Sequence, residues 1–381
     1  MTITFWACIA AIFYTYFGYA LFLWLITYFI PPKSSISQET YFPTVSLIIS
    51  AYNEEDVIEE KILNSLSLEY PKELFEILVV SDGSTDRTDE ITARYSKDGV
   101  ILKNYKGRIG KTSCLNRAVP EAKGEIIVFS DANSIYNNKA IRNLIKHFKD
   151  TSIGFVTGRT MYVSQYGNSV AESTNLYTKL ELITKTLESK IFSCVGADGA
   201  IFAVRKMLFN SLKDYDINDF VIPLNIIEQG YRGLLDIDAF CIEKTARESE
   251  GEFNRQVRIS CRTIRAIFNN KLLLNPIKHP IFSFELISHK ILKFMLPFFM
   301  IGVFVANAVI ISKGILYFIT FAMQIFYYMF FLYGYSERKK KDGSRLAGIA
   351  YAFGTVNFAI IVGWWKYFSG QTYTTWRSER P

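Results

Sequence analysis

The sequence predicts a doubly wound α/β domain attached to membrane-spanning helices. Three observations carry that reading. Between residues 43 and 135, short apolar runs alternate with stretches of helical spacing. The three apolar runs read as strands end in polar, acid-bearing turns. Long uncharged stretches gather at the two ends of the chain.

Composition agrees. Of 381 residues, 50% are hydrophobic and 15% aromatic, and 43 basic against 36 acidic side chains give a net charge of +7. That apolar content excludes a disordered chain. The 22 Gly and 10 Pro show no period, which excludes a collagen-like one. Cys8, Cys114, Cys194, Cys241 and Cys261 are scattered, no CxxC pair occurs, and only three His are present. A disulfide scaffold and a zinc site are therefore not expected, and the thiols read as reduced and cytosolic.

Residues 1–32 carry no charge, and Thr4–Ile30 is nearly continuous apolar sequence. This exceeds the roughly 20 residues a span needs. A secretory signal would show a basic start and a small-residue cleavage site; neither is present, so the segment reads as an uncleaved anchor. From Pro43 the pattern changes. Val45–Ser50 reads as a buried strand, Glu54–Leu68 as a helix, Glu76–Ser81 as a second strand and Asp86–Ser96 as a second helix. Lys111–Ala122 is helical in spacing and Glu125–Ser130 is another strand. In such sheets ligands bind outside the carboxyl ends of the strands. The turns at those ends are Ala51-Tyr52-Asn53-Glu54, Asp82-Gly83-Ser84-Thr85-Asp86 and Asp131-Ala132-Asn133. Singly, Asn53 could cap the next helix and the Asp82–Asp86 segment could be a turn with an N-cap. Together the three turns place acids at one edge, where a cation-bridged diphosphate could sit.

Further on, Arg255, Arg258, Arg262 and Arg265 make a basic stripe beside an apolar one of Val257, Cys261, Ile264 and Phe268. This predicts an interfacial helix whose arginines meet lipid phosphates. Phe294–Ser312, Gly314–Ser336 and Leu346–Trp365 are each long enough to span, the first two as a hairpin. Gly348, Gly354, Asn357 and Gly363 leave a broken or interfacial segment as the alternative for the third. The basic loop 336–345 belongs in the cytosol by the positive-inside rule, as a topological signal rather than a nucleic-acid site. The organisation expected is an anchor over 1–32, a cytosolic α/β domain over 43–250, an amphipathic interfacial segment over 251–290, about three transmembrane helices over 291–368 and a tail over 369–381. His289 reads as an interfacial or structural residue. A transporter would want polar residues inside the spans, which are almost uncharged.

Val45-Ser-Leu-Ile-Ile-Ser-Ala-Tyr-Asn-Glu-Glu55, Ile77-Leu-Val-Val-Ser-Asp-Gly-Ser-Thr-Asp86 and Phe129-Ser-Asp-Ala-Asn133, with Gly110-Lys111 and Leu115-Asn116 between, resemble the opening of family 2 glycosyltransferases of the GT-A fold. The resemblance is nearest to the membrane-embedded branch of cellulose, chitin-oligosaccharide and hyaluronan synthases. It implies a metal-dependent, inverting hexosyltransferase. Its donor would be a nucleotide sugar, UDP-glucose or UDP-N-acetylglucosamine by family frequency. The acceptor would be a growing β-linked polysaccharide or oligosaccharide. Single-sugar transfer to a polyprenyl-phosphate or glycolipid is the second reading, and an inactive membrane scaffold the third. The implied setting is a bacterial or archaeal plasma membrane with the catalytic domain in the cytosol and export or assembly partners.

The same resemblance distributes roles. Ala51, Tyr52 and Glu54 would form the base and ribose pocket, and Asp82 would contact the nucleobase. Asp131 and Asn133, with Ala132 between them, stand at the DxD motif, where the family holds a divalent ion; hard oxygen ligands suit Mg2+ or Mn2+. Asn133 departs from the usual Asp. Lys111 would add positive charge near the phosphates, or be a surface lysine on its helix. Asp219 takes the catalytic-base position, preceded by Asn218, with Asp214 and Asp216 as rivals. Ser193–Arg205 resembles the acceptor segment, with Gly196, Asp198 and Gly199 on the acceptor. Arg255, Gln256 and Arg258 fall where processive synthases touch the donor diphosphate. Ile259 stands where those synthases place an acceptor-stacking Trp, which favours a shorter product or a lipid-linked acceptor.

Overall fold

The computed structural model describes residues 1–30, 41–163, 176–244, 252–337 and 345–374. Most of the basic loop read as a topological signal, residues 338–344, lies outside the described residues, as does the tail from 375.

A long apolar helix, α1 (Thr2–Phe29), opens the chain. The domain follows with β1 (Val45–Ala51), α2 (Ile58–Leu66), β2 (Phe75–Ser81), α3 (Thr88–Arg94), β3 (Val100–Asn104), α4 (Lys111–Glu121) and β4 (Ile126–Asp131). It continues through β5 (Ile135–Tyr136), α5 (Ala140–Ile145), β6 (Ile153–Val163), α6 (Leu176–Ile191), β7 (Ile201–Arg205), α7 (Asn218–Glu228) and β8 (Arg232–Lys244). The C-terminal part is helical: α8 (Glu252–Asn269), α9 (Pro280–Lys313), α10 (Ile315–Glu337) and α11 (Arg345–Phe368). The chain divides into two compact units, one holding the sheet and one holding most of the apolar helices.

The eight strands form one sheet in the order β3-β2-β1-β4-β7-β6-β8-β5. Its first half is doubly wound as expected: β3, β2, β1 and β4 run parallel. Every residue of β1 is buried, which is why its sequence is mostly apolar, with only the small Ser46 and Ser50 between, rather than alternating. The second half is mixed, with β7 antiparallel to both β4 and β6, and β8 parallel to β6 but antiparallel to β5. The core between sheet and helices gathers Leu47, Ile49, Ile62, Val79, Val128, Ile141 and Val156.

In the helical unit, α1 lies on α9 through Phe5, Val303, Ala306 and Ile310. Close approaches occur where side chains vanish: a Cβ on Gly334 would meet the Ala347 carbonyl oxygen at 2.3 Å, and one on Gly354 the Phe331 ring at 2.3 Å. Of the glycines that left a broken segment open for the last stretch, Gly354 and Gly363 serve packing while Gly348 faces open space, and α11 is one continuous helix. The helix α8 buries Val257, Cys261 and Ile264 of the predicted apolar stripe, whereas Phe268 is exposed. Phe253 stacks on Phe358, and Arg265 donates to the Gln371 carbonyl at 2.8 Å, so this part of α8 docks on α11 and the residues after it. His289 packs its ring against Tyr19, a structural use as expected. The span α9 begins at Pro280, inside the stretch read as interfacial. Among the described residues four helices (α1, α9, α10 and α11) are long and apolar enough to cross a membrane.

Candidate active site

Strand register sets the site. Ala51 pairs with Ser81 and Ser50 with Asp131, so the carboxyl ends of β1, β2 and β4 lie side by side. All three polar turns therefore open at one edge. Asn53 is the one non-glycine among the described residues with positive φ, at 52°. It does not cap α2. Its Oδ1 accepts from the Thr85 N–H at 2.8 Å, and its own N–H donates to Ser84 Oγ at 3.2 Å. Next to it, the Glu54 N–H donates to Thr88 Oγ1 at 2.8 Å and the Glu55 N–H to Asp86 Oδ2 at 3.1 Å. The first turn is stitched to the second over its whole length. That is why α2 starts at Ile58 rather than at Glu54. Asp86 also accepts from the Thr88 N–H at 3.0 Å, which is the turn-and-cap use that local sequence allowed.

Asp82 is buried and accepts the Ile109 N–H at 2.8 Å and the Gly110 N–H at 3.0 Å. Its carboxylate thus holds the 107–110 loop that leads into α4. Burial, reinforced by the neighbouring Asp82 charge, holds the Cys114 thiol in its protonated form. Gly110, at φ 92°, could not be replaced without strain. Arg108 from this loop lies over the Tyr52 ring at 4.1 Å. A flat, half-buried aromatic under a guanidinium is a surface suited to a base or ribose. Lys111 opens α4 and places Nζ 2.5 Å from Asp131 Oδ1, so it is not a surface lysine.

Asp131 and Asn133 are half-exposed, while Ala132 and Ser134 are buried. A carboxylate and an amide oxygen at one turn fit a hard divalent ion. Among the described residues no group of three or more His, Cys, Asp or Glu is gathered to hold a metal. A divalent ion held at this turn would need further oxygen ligands, such as those of a phosphate, to complete its shell. Beneath the turn, Ser134 Oγ donates to Glu243 Oε1 at 2.5 Å. Burial, with the Asp131 charge adding to it, pushes Glu243 up to about 7.

The 192–200 segment comes to the same edge through β7, because Ile201 pairs with Ser130, the residue before Asp131. Two residues earlier, a Cβ on Gly199 would stand 2.8 Å from Asp219 Oδ2, and a Cβ on Gly196 would stand 3.0 Å from the Phe220 ring. Both glycines leave room for the first turn of α7. Asp219 is half-buried, and its carbonyl accepts from the Ala197 N–H at 2.8 Å. Thr112 Oγ1 donates to the Asp216 carbonyl at 3.0 Å, which ties α4 to the approach of α7. Asp214 accepts from Ser113 Oγ at 2.7 Å and Asp216 from the Lys213 N–H at 2.9 Å, so both rivals of Asp219 hold this approach. Asp198 accepts from the Thr160 N–H at 2.9 Å and the Ala200 N–H at 3.1 Å; burial raises its pKa. It fixes the turn that carries the two glycines.

Ala51, Tyr52, Glu54, Asp82, Lys111, Asp131, Ala132, Asn133, Gly196, Asp198, Gly199 and Asp219 all belong to the sheet-bearing unit, whereas Arg255, Gln256, Arg258 and Ile259 lie on α8 in the helical unit. Sequence reading passed over Arg108, Lys61, Asn64 and Glu243. A signal existed for Lys61. It shares the buried stripe of α2 with Ile58, Ile62 and Ser65, where a lysine has no business unless something buried needs its charge.

Residues 46–212 match the family model described as Glycosyl transferase family 2. A probable glycosyltransferase of Bacillus subtilis, YdaM, is 28% identical over 50% of this chain and 48% of its own length. A beta-monoglucosyldiacylglycerol synthase of Nostoc is 33% identical over 31% of this chain and 26% of its own. A poly-beta-1,6-N-acetyl-D-glucosamine synthase of Staphylococcus aureus is 32% identical over 30% and 28%. The chain thus spans about half or less of the curated relatives it matches. Among solved structures, the mannosyltransferase PcManGT of Pyrobaculum calidifontis, in complex with GDP-Man and Mn2+, superposes with a TM-score of 0.72. It covers 97% of this chain and 99% of its own at 21% identity, which shows the fold.

Proposed function

With residues 46–212 a family 2 glycosyltransferase domain of the GT-A fold, we propose that this membrane protein transfers a sugar, with inversion, from a nucleotide sugar to a β-linked oligosaccharide or polysaccharide. The observation that carries the reading is the strand register that brings Asp131 and the Asp219-facing Gly199 to one sheet edge. Tyr52 under Arg108 would receive the nucleoside, and Lys111 would meet the diphosphate. Asp131 and Asn133 would hold Mg2+ or Mn2+ on that diphosphate. The bound cation would neutralise charge on the leaving group. Asp219 would accept the acceptor hydroxyl's proton as its oxygen bonds to the anomeric carbon and the diphosphate departs with the bonding pair.

UDP-glucose and UDP-N-acetylglucosamine are the donors favoured by the resemblance. The domain would face the cytosol of a bacterial or archaeal cell, with Arg255, Gln256 and Arg258 serving the diphosphate. A lipid acceptor is the second reading, favoured by Ile259, where an acceptor platform would be aromatic, and by the likeness to a glucolipid synthase. The test is nucleoside diphosphate release from a panel of UDP- and GDP-sugars with Mn2+ or Mg2+, in membranes containing acceptor lipids. Release from one donor supports the reading, and product size separates polymer from single addition. Nucleotide binding without release from any donor refutes it in favour of a scaffold.

A further inference from the structure

Behind the Asp131–Asn133 turn, α2 presents two polar side chains that the transfer chemistry does not use. Lys61 is fully buried, at 0% exposure. Its Nζ donates to the Ser134 carbonyl at 2.5 Å and lies 3.7 Å from the centre of the Tyr136 ring. One turn later along α2, Asn64 donates Nδ2 to the Tyr136 carbonyl at 2.9 Å and accepts the Tyr136 N–H on Oδ1 at 2.8 Å. From the far side, the Tyr136 hydroxyl sits 3.0 Å from the Phe129 carbonyl and 2.9 Å from the Ala200 carbonyl. The turn is thus fixed at residues 134 and 136 by α2.

A buried ammonium is costly, and a methionine of similar length would fill the same space without desolvation. What lysine supplies and methionine does not is a donor for the Ser134 carbonyl, which ties the turn to α2. We propose that Lys61 and Asn64 are positioning residues that hold Asp131 and Asn133 in register for a cation-bound nucleoside diphosphate. The inference rests on the cation-assisted reading above. It goes beyond it by assigning the cation's affinity in part to a helix that touches neither donor nor acceptor.

The experiment is a Mn2+ titration of the full-length protein in detergent, read by loss of the free-ion paramagnetic resonance signal, with UDP or GDP present. Lys61→Met should weaken Mn2+ binding about tenfold, the range of outer-shell partners of metal ligands. Binding of the same nucleotide without Mn2+ should be unchanged, and a general loss of structure would not separate the two. Asn64→Ala carries the same test if Lys61→Met does not fold. Equal Mn2+ affinity in a folded variant and the parent overturns the inference alone. No Mn2+ uptake by the parent with either nucleotide overturns the cation reading, and the inference with it.

Discussion

The two edges of the proposed site, one for the donor and one for the acceptor, lean on different means, although Asp198 also fixes backbone on the second. On the donor edge, side chains fix backbone: Asp82, Asp86 and Asn53 each take N–H groups of a neighbouring turn. On the acceptor edge, missing side chains make room: Gly196 and Gly199 leave the space in which the start of α7 and Asp219 lie. The first strategy suits a ligand whose shape is constant, a nucleoside diphosphate. The second suits a surface that must admit a sugar hydroxyl to one carboxylate. It follows that donor-edge changes should act on binding and acceptor-edge changes on turnover.

Asp219→Asn tests this most severely. With Asp219 in its proposed role as base, the substitution should lower turnover about 10²–10⁴-fold, with donor binding retained, measured as diphosphate release beside nucleotide affinity. Equal loss of both would erase the distinction between edges.

A scaffold substitution in the acceptor half, away from its edge, supplies the contrast. Asp236 is buried, which alone would raise its pKa, but hydrogen bonds from His147 and Lys146 outweigh burial and hold it at about 2. A depressed carboxylate pKa contributes stability that is present above the unfolded value near 3.8 and lost as pH falls through about 2. Asp236→Asn should cost about 2 kcal/mol in denaturant unfolding at neutral pH, a difference that shrinks between pH 4 and 2. Turnover of the folded fraction should not change.

Gly199→Ala is the sharpest acceptor-edge probe. The new methyl would press on Asp219 Oδ2 at 2.8 Å. Turnover should fall about tenfold through misplacement of the base, with donor KM unaltered. The smallest effect is expected on the donor edge. Asn133→Asp restores a charged ligand and should tighten Mn2+ binding about threefold, seen as a lower half-saturating Mn2+ concentration.

Legibility in the sequence followed the same division. The strands β1, β2 and β4 could be read because their buried centres are short apolar runs, Leu47–Ile49, Ile77–Val80 and Ile126–Phe129. The strand β8 could not, since exposed Ile237 and Ile242 interrupt any period. Asp131, Asn133 and Asp219 stood out because local motifs surround them. Lys61 and Asn64 did not, for their partners lie 73 and 72 residues away. Asn53 was visible as a polar turn residue, but its left-handed backbone and its bond to Thr85 are products of two turns meeting. Space is least legible of all: Gly199 matters only because α7 folds back over it.

A practical consequence attaches to the last described residues. The Thr374 carbonyl oxygen lies 2.5 Å from where a Cβ on Gly110 would be, so the stretch after α11 crosses the loop that Asp82 holds. A side chain at Gly110 would therefore have to displace the Thr374 backbone as well as adopt a left-handed φ of 92°.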